Sequence, residues 1–258
     1  MGKIIAIANQ KGGVGKTTTA VNLCAALTFL GAKTLLCDMD PQGNATSGVG
    51  VKKDTTSKSM YNVLIDGDDI SSIIVKTPYC DILPSNQILS GAGIELVTTD
   101  DREFVLKNAL NRIRDKYDYI LIDCPPSLEM LTLNSLCAAD TVLVPVQCEY
   151  FALEGLSDLM SSIRMTKKSL NPKLSLEGVV LTMYDSRTNF SAQVADEIKR
   201  FFKEKTFNTV IPRSVRLAEA PSHGVSIIDY DKSSLGAQAY LKLGKEVKKR
   251  NATAGGTK

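Results

Sequence analysis

No two cysteines stand close enough in the sequence to form a local metal-binding or redox pair. The six, Cys24, Cys37, Cys80, Cys124, Cys137 and Cys148, include no C-x-x-C, and five of them lie in apolar stretches. That spacing argues against an iron–sulfur or zinc site built on paired thiolates, and it fits small core residues in a reducing compartment. Histidine is reduced to His223, in a Pro-Ser-His-Gly turn, and reads as structural. No apolar run approaches the length of a membrane span. The N-terminus enters a strand by Lys3, which leaves no room for a signal peptide, so a cytoplasmic location is expected. Charge is little biased: the net value of +3 says less about partners than its distribution does. Neither a linker nor an internal repeat interrupts the 258 residues, a length usual for a single α/β domain. The expectation is one domain over residues 1–250 and a disordered tail over 251–258.

What the chain does have is concentrated near its start. Lys11-Gly12-Gly13-Val14-Gly15-Lys16-Thr17-Thr18 follows the apolar run Ile4-Ile5-Ala6-Ile7-Ala8 and precedes a helical pattern of Ala20, Val21, Leu23, Cys24 and Leu27. Glycines let successive backbone N–H groups curl around an anion, since no Cβ blocks the turn. A helix beginning near Lys16 adds its positive end. Lys16 then offers a mobile charge to β/γ-phosphates and Thr17 a hydroxyl to Mg²⁺. The pattern is that of a nucleoside-triphosphate site, with Gln10 where the usual P-loop has glycine and a second lysine, Lys11, at the loop head.

Further along, strand and helix patterns alternate. Helices are expected over residues 16–30, 60–65, 87–97, 101–117, 128–137, 152–168, 191–205 and 234–250. Strands are expected over 34–37, 81–84, 119–123, 141–146, 178–183 and 209–212. Such alternation implies a three-layer α/β/α fold, a mostly parallel twisted sheet with helices on both faces. In the helix at 191–205, Val194, Ile198, Phe201 and Phe202 are expected to face inward. Two strands end in carboxylates. Asp38-Met39-Asp40 places two on one side of a strand exit, and Tyr119-Ile120-Leu121-Ile122-Asp123 delivers one toward a metal, at the sheet edge where α/β ligands sit.

Together these blocks resemble the ParA/MinD group of ATPases with a deviant Walker A P-loop, and within it ParA-type chromosome-partitioning ATPases of the short Soj-like form. The resemblance extends over Asp38 to Gly48, Asp123-Cys124-Pro125-Pro126-Ser127, Gln147 to Leu156, Ile211-Pro212-Arg213, and Glu219 to Gly224. It implies an ATPase with ATP and Mg²⁺ as cofactors, whose two subunits sandwich two ATPs as a homodimer. Residues 11–18 would cradle phosphates, Lys11 reaching the partner's and Lys16 its own, with Gly12 at the dimer contact. Asp40 would orient water. Thr17, Asp40 and Asp123 would serve the metal, and adenine would lie near Pro212, Met183 and Arg213.

The resemblance also implies that the ATP-bound dimer binds double-stranded DNA without sequence preference, on the nucleoid, and that a ParB-type centromere-binding protein stimulates hydrolysis. Candidate phosphate contacts are Arg187, Lys199, Arg200, Lys203, Arg213 and Arg216, with Arg187 and Arg216 in loops after strands. A membrane-cycling form like MinD would end in an amphipathic helix, whereas residues 248–258 offer no bulky apolar side chain for insertion. A nitrogenase iron-protein relative finds no support in the cysteine spacing, and the chain has no room for the N-terminal helix-turn-helix domain of longer plasmid ParA proteins.

Overall fold

The continuous apolar runs become the inner strands of one sheet. A computed structural model describes residues 1–53, 57–149 and 152–254. In chain order the elements are β1 (Lys3–Ile7), α1 (Lys16–Phe29), β2 (Thr34–Asp38), α2 (Asn44–Gly48), β3 (Val75–Lys76), β4 (Asp81–Leu83), α3 (Leu89–Glu95), α4 (Val105–Asn111) and β5 (Tyr119–Asp123). There follow α5 (Met130–Ala138), β6 (Thr141–Gln147), α6 (Ala152–Ser169), β7 (Ser175–Tyr184), α7 (Asn189–Phe202), β8 (Thr206–Pro212), α8 (Val215–Glu219), α9 (Ile227–Tyr230) and α10 (Leu235–Ala254). The strand order is β3-β4-β2-β5-β1-β6-β7-β8, parallel except for β3 against β4. A mostly parallel sheet was the expectation, and its reason is visible: strands covered on both faces need no polar alternation.

Alternation does divide the core in two. Ile4, Ala6, Leu35 and Cys37 face one cluster, with Leu89, Leu106, Leu110 and Ile198. Ile5, Ile7, Leu36 and Leu121 face the other, which holds α1 and α10 through Leu23, Leu27, Tyr240 and Leu243. Helix α1 ends as anticipated: Gly31 takes a φ of 82° just beyond it.

The two edges of the sheet are closed differently. β3 is only two residues long. On β8 the Glu246 carboxylate of α10 accepts hydrogen bonds from the Asn208 and Thr209 amides at 2.9 and 3.1 Å, occupying donors that an edge strand would otherwise present.

Several expectations are corrected. The helix expected over 101–117 is broken: α4 stops at Asn111, and a 3₁₀ turn at Arg114–Lys116 follows. Arg114 is pinned there, its side chain donating to Gly2 O at 2.6 Å and to Asp140 at 2.5 Å. Residues 60–65 contribute a π-helical turn, Asn62–Asp66. Helix α7 ends at Phe202 because Lys203 takes a φ of 46°, so Phe201 points outward, 72% exposed, while Val194, Ile198 and Phe202 are buried. The last helix continues four residues past 250, and residues 255–258 lie outside those described. Among the described residues no helix is long and apolar enough to cross a membrane.

Asn171 shows how the α5–β6 corner is held. Its Nδ2 donates to the carbonyls of Leu136, Cys137 and Ala139 at 3.0, 3.2 and 2.8 Å, closing the C-terminus of α5 from the turn after α6. Replacing it leaves buried carbonyls without donors. Asn171→Ala should cost about 1–3 kcal/mol, read as a fall of several degrees in Tm; an unchanged Tm would remove the side chain from that role.

Candidate functional site

β1 is the centre of the strand order, with β5 on one side and β6 on the other, so the chain leaves it at the point where the sheet's winding reverses. Residues 8–15 turn there into α1. Gly13 and Gly15 adopt φ of 74° and 87°, which only a residue without Cβ takes without strain, and Gly15 immediately precedes the first helical residue, Lys16. The loop is tied down on both sides. Asn9 Nδ2 donates to Pro145 O at 2.7 Å, and Thr182 Oγ1 donates to Val14 O at 2.8 Å.

Lys16 is buried, and its Nζ donates to Lys11 O at 3.1 Å. Burial lowers its pKa; the Asp123 carboxylate is the largest of the nearby charges opposing this, and Asp40 adds to it. Lys11 points elsewhere, its Nζ 2.7 Å from Glu149 Oε2.

The acidic side is formed by neighbouring strand ends. Asp38 and Asp123 are register partners in β2 and β5, and Asp123 also pairs with Ile7 of β1. Met39 packs into the core cluster of Leu35 and Cys37, leaving Asp38 and Asp40 on the other side as anticipated. Asp38 is fully buried but provided for: Thr46 N, Thr46 Oγ1 and Asp40 N donate to it at 2.8, 2.7 and 3.2 Å. Burial still pushes its pKa up to about 6. Asp40 Oδ1 accepts from Gln42 N at 2.9 Å, and its own carbonyl is held by Ser85 Oγ at 2.7 Å.

Asp123 differs from both. It is fully buried, and neither carboxylate oxygen has a hydrogen-bond partner. Burial, then the Asp38 charge, raises its pKa well above the ordinary aspartate value; the Thr17 hydroxyl is near enough to oppose the shift yet outside hydrogen-bonding geometry. A buried carboxylate without donors beside a hydroxyl fits a hard, oxygen-ligated cation. Among the described residues no group of three or more His, Cys, Asp or Glu could hold a metal ion by itself.

Gly15 and Thr18 open onto a cavity of about 240 Å³ lined by Met183, Pro212, Arg213, Leu217 and Tyr240. The three residues named for adenine are thus brought together beside the loop. Gly12 faces open space, with no atom within 4 Å of where a Cβ would stand.

The basic candidates are not gathered into one patch. Arg187 lies in the β7–α7 loop, 84% exposed and bound two-pronged to Asp185 at 2.9 and 2.7 Å. Arg213 follows β8, its amide donating to Tyr184 O at 3.1 Å, so these two share the carboxyl edge. Lys199, Arg200 and Lys203 extend along α7 and the turn after it, on the opposite side of the sheet from Arg216. Arg216 lies in helix α8 and not, as expected, in a loop; Glu219 at 3.2 Å and Asp231 at 3.9 Å neutralise it above the Tyr230 ring. His223 stacks on that ring at 5.1 Å, consistent with a structural part. Tyr150 and Phe151 of the Gln147–Leu156 block lie outside the described residues. Glu149 was not singled out from the sequence, although it follows a buried strand exit as Asp40 does.

Comparison with known proteins gives a consistent result. The AAA domain family model matches residues 2–176. Sporulation initiation inhibitor protein Soj of Bacillus subtilis is 56% identical over 249 residues, covering 96% of this chain and 98% of that one. Chromosome partitioning protein ParA of Myxococcus xanthus is 52% identical, covering 97% and 89%. Among solved structures, cobyrinic acid a,c-diamide synthase from Mycobacterium smegmatis, with bound ATP analogue and magnesium, has a TM-score of 0.88 at 36% identity, covering 98% of this chain and 97% of that one.

The Asp123 environment sets a stability trend. A carboxylate whose folded pKa is raised opposes folding when ionised; the opposition is full above the folded pKa and vanishes below the unfolded value near 3.9. In the nucleotide-free protein, Asp123→Asn should therefore raise Tm by a few degrees at pH 8, and the gain should shrink as pH falls toward 4. A variant less stable than the parent at pH 8 would show that the carboxylate is compensated after all.

Proposed function

Because the chain belongs to the ParA/Soj family of chromosome-partitioning ATPases, we propose that it is an ATP-driven dimer switch that grips DNA only as a pair. The enzyme hydrolyses ATP to ADP and phosphate with Mg²⁺. The observation that carries the reading is the pairing of a strand–loop–helix anion cradle with an orphaned buried carboxylate whose charge acts on its lysine.

The residues divide the work. Backbone N–H groups of residues 12–18 receive the phosphates, and Lys16 turns from Lys11 O to the nucleotide's own β/γ-oxygens. Thr17, Asp123 and Asp40 would hold Mg²⁺, which would supply positive charge against the phosphate oxygens. Asp40, fixed by Gln42 N and Ser85 Oγ, orients the attacking water. Met183, Pro212 and Arg213 receive the adenine in the cavity beside Gly15. Lys11 acts on the partner's nucleotide, so hydrolysis requires the pair. Gly12 lies at the subunit contact, and its open surroundings leave space for a close approach.

The pair binds duplex DNA of any sequence through Arg187, Lys199, Arg200, Lys203, Arg213 and Arg216, and hence associates with the nucleoid. A ParB-type protein accelerates hydrolysis and resets the cycle. Arg200 and Lys203 support the reading as exposed cations with no ion pair among the described residues.

The deciding experiment is retention on DNA of unrelated sequences with ATP, ADP or no nucleotide. Retention should require ATP, and equal retention in all three arms would end the switch reading. Gly12→Val should fold and bind ATP, since its Cβ meets nothing within the subunit, yet remain monomeric in sedimentation with a non-hydrolysable analogue. A full dimer would remove Gly12 from the contact.

Arg216→Glu should weaken binding to every sequence alike, by roughly tenfold at low salt, and lower the salt slope by about one or two. An unchanged salt-dependent affinity would place the footprint elsewhere.

A further inference from the structure

Within the loop, Lys11 is the cation already engaged by a carboxylate. Its ammonium rests on Glu149 Oε2 at 2.7 Å. Glu149 is set by the exit of β6: its amide donates to Gln147 O at 2.8 Å, and the Gln147 side-chain amide donates to its other carboxylate oxygen. The backbone of Lys11 is fixed as well. Asn9 Oδ1 accepts from Lys11 N at 3.0 Å, while Lys16 Nζ donates to Lys11 O at 3.1 Å. Asn9 itself is bound to Pro145 of β6. One strand therefore anchors the loop head and supplies the acid that takes its side chain.

We propose that Glu149 is a positioning residue that holds Lys11 on its own subunit in the free protein. Subunit pairing must then exchange this ion pair for the partner's phosphates. The inference rests on the reading in which Lys11 acts across subunits, and it adds the element that sets the threshold for pairing.

The magnitude suits a threshold and not a block. The Lys11 and Glu149 side chains are 37% and 46% exposed, and contacts of that kind shift a population by at most about fivefold. Two such pairs open per dimer, so the dimer dissociation constant moves by up to about 25-fold. A triphosphate carries more charge than one carboxylate and wins once the partner brings it within reach. Until then Lys11 is kept from its own subunit's nucleotide, which protects the monomer from unproductive use of that lysine.

The test uses the full chain and two readouts. In nucleotide-free protein, acylation of Lys11 by an amine-reactive ester is followed by peptide mass, because an ammonium clasped by a carboxylate is less accessible to the reagent. With a non-hydrolysable ATP analogue, dimerisation is followed by sedimentation. Glu149→Gln should speed acylation about two- to fivefold and tighten the dimer by about 3- to 25-fold, and Glu149→Asp, which keeps the charge, should fall between. Unchanged acylation would show that Glu149 does not hold Lys11. Faster acylation with an unchanged or weaker dimer would overturn the threshold. Failure of the parent protein itself to dimerise would sink the dimer reading instead, with acylation still deciding whether Glu149 holds Lys11.

Discussion

A buried excess of negative charge organises this molecule. Asp38 and Asp123 end adjacent strands side by side, and the buried Lys16 feels the charge of Asp123. Asp38 is answered by three donors from the turn that follows it, whereas Asp123 is answered by none. An uncompensated carboxylate in a dry interior is costly and persists only where something else completes it. In the proposed function, the completing groups are a cation and a triphosphate above the Gly13–Gly15 turn. Ligand binding and folding are therefore coupled, since what relieves Asp123 binds the folded chain and not the unfolded one. The bracing of the loop by Asn9 and Thr182 makes sense in that light: the backbone donors must be aimed before the anion arrives.

The cations assigned to outside partners follow a related logic. Lys11, Arg187 and Arg216 each already have a carboxylate of their own, in Glu149, Asp185 and Glu219. None of them is a free positive charge waiting for a phosphate, and each contact made outside replaces one made inside. Exposed pairs of this sort contribute little to stability, so the exchange is shallow and easily shifted by salt. Arg200 and Lys203, which have no such partner among the described residues, offer charge without an exchange. The near-neutral total of the chain thus conceals two kinds of basic group.

The strand–loop–helix at the N-terminus and the strand ending in Asp123 were readable because each is a local signal: an apolar run, then glycines or a carboxylate. The grouping of Met183, Pro212 and Arg213 was readable only through family resemblance, since β7 and β8 bring those residues together from opposite sides of α7. Other features had no local sign. Nothing within residues 101–117 marks the break after Asn111; Arg114 is drawn to Gly2 and Asp140, which lie far away in sequence. Phe201 matched the inward stripe, but it stands on the last turn before Lys203 reverses the chain. Helix α8 is five residues long, too short for periodicity to show, so Arg216 read as a loop residue. Glu149 was legible by the rule that found Asp40, a carboxylate two residues beyond a buried strand.

The closed edges of the sheet bear on life at high local density. If copies gather along DNA as proposed, they meet each other constantly, and an open strand would invite them to zip together irreversibly. Here Glu246 occupies the Asn208 and Thr209 amides at one margin, and the other margin is a two-residue antiparallel strand. Crowded copies are left with helices and loops as mutual contact surfaces, and such contacts come apart as readily as they form.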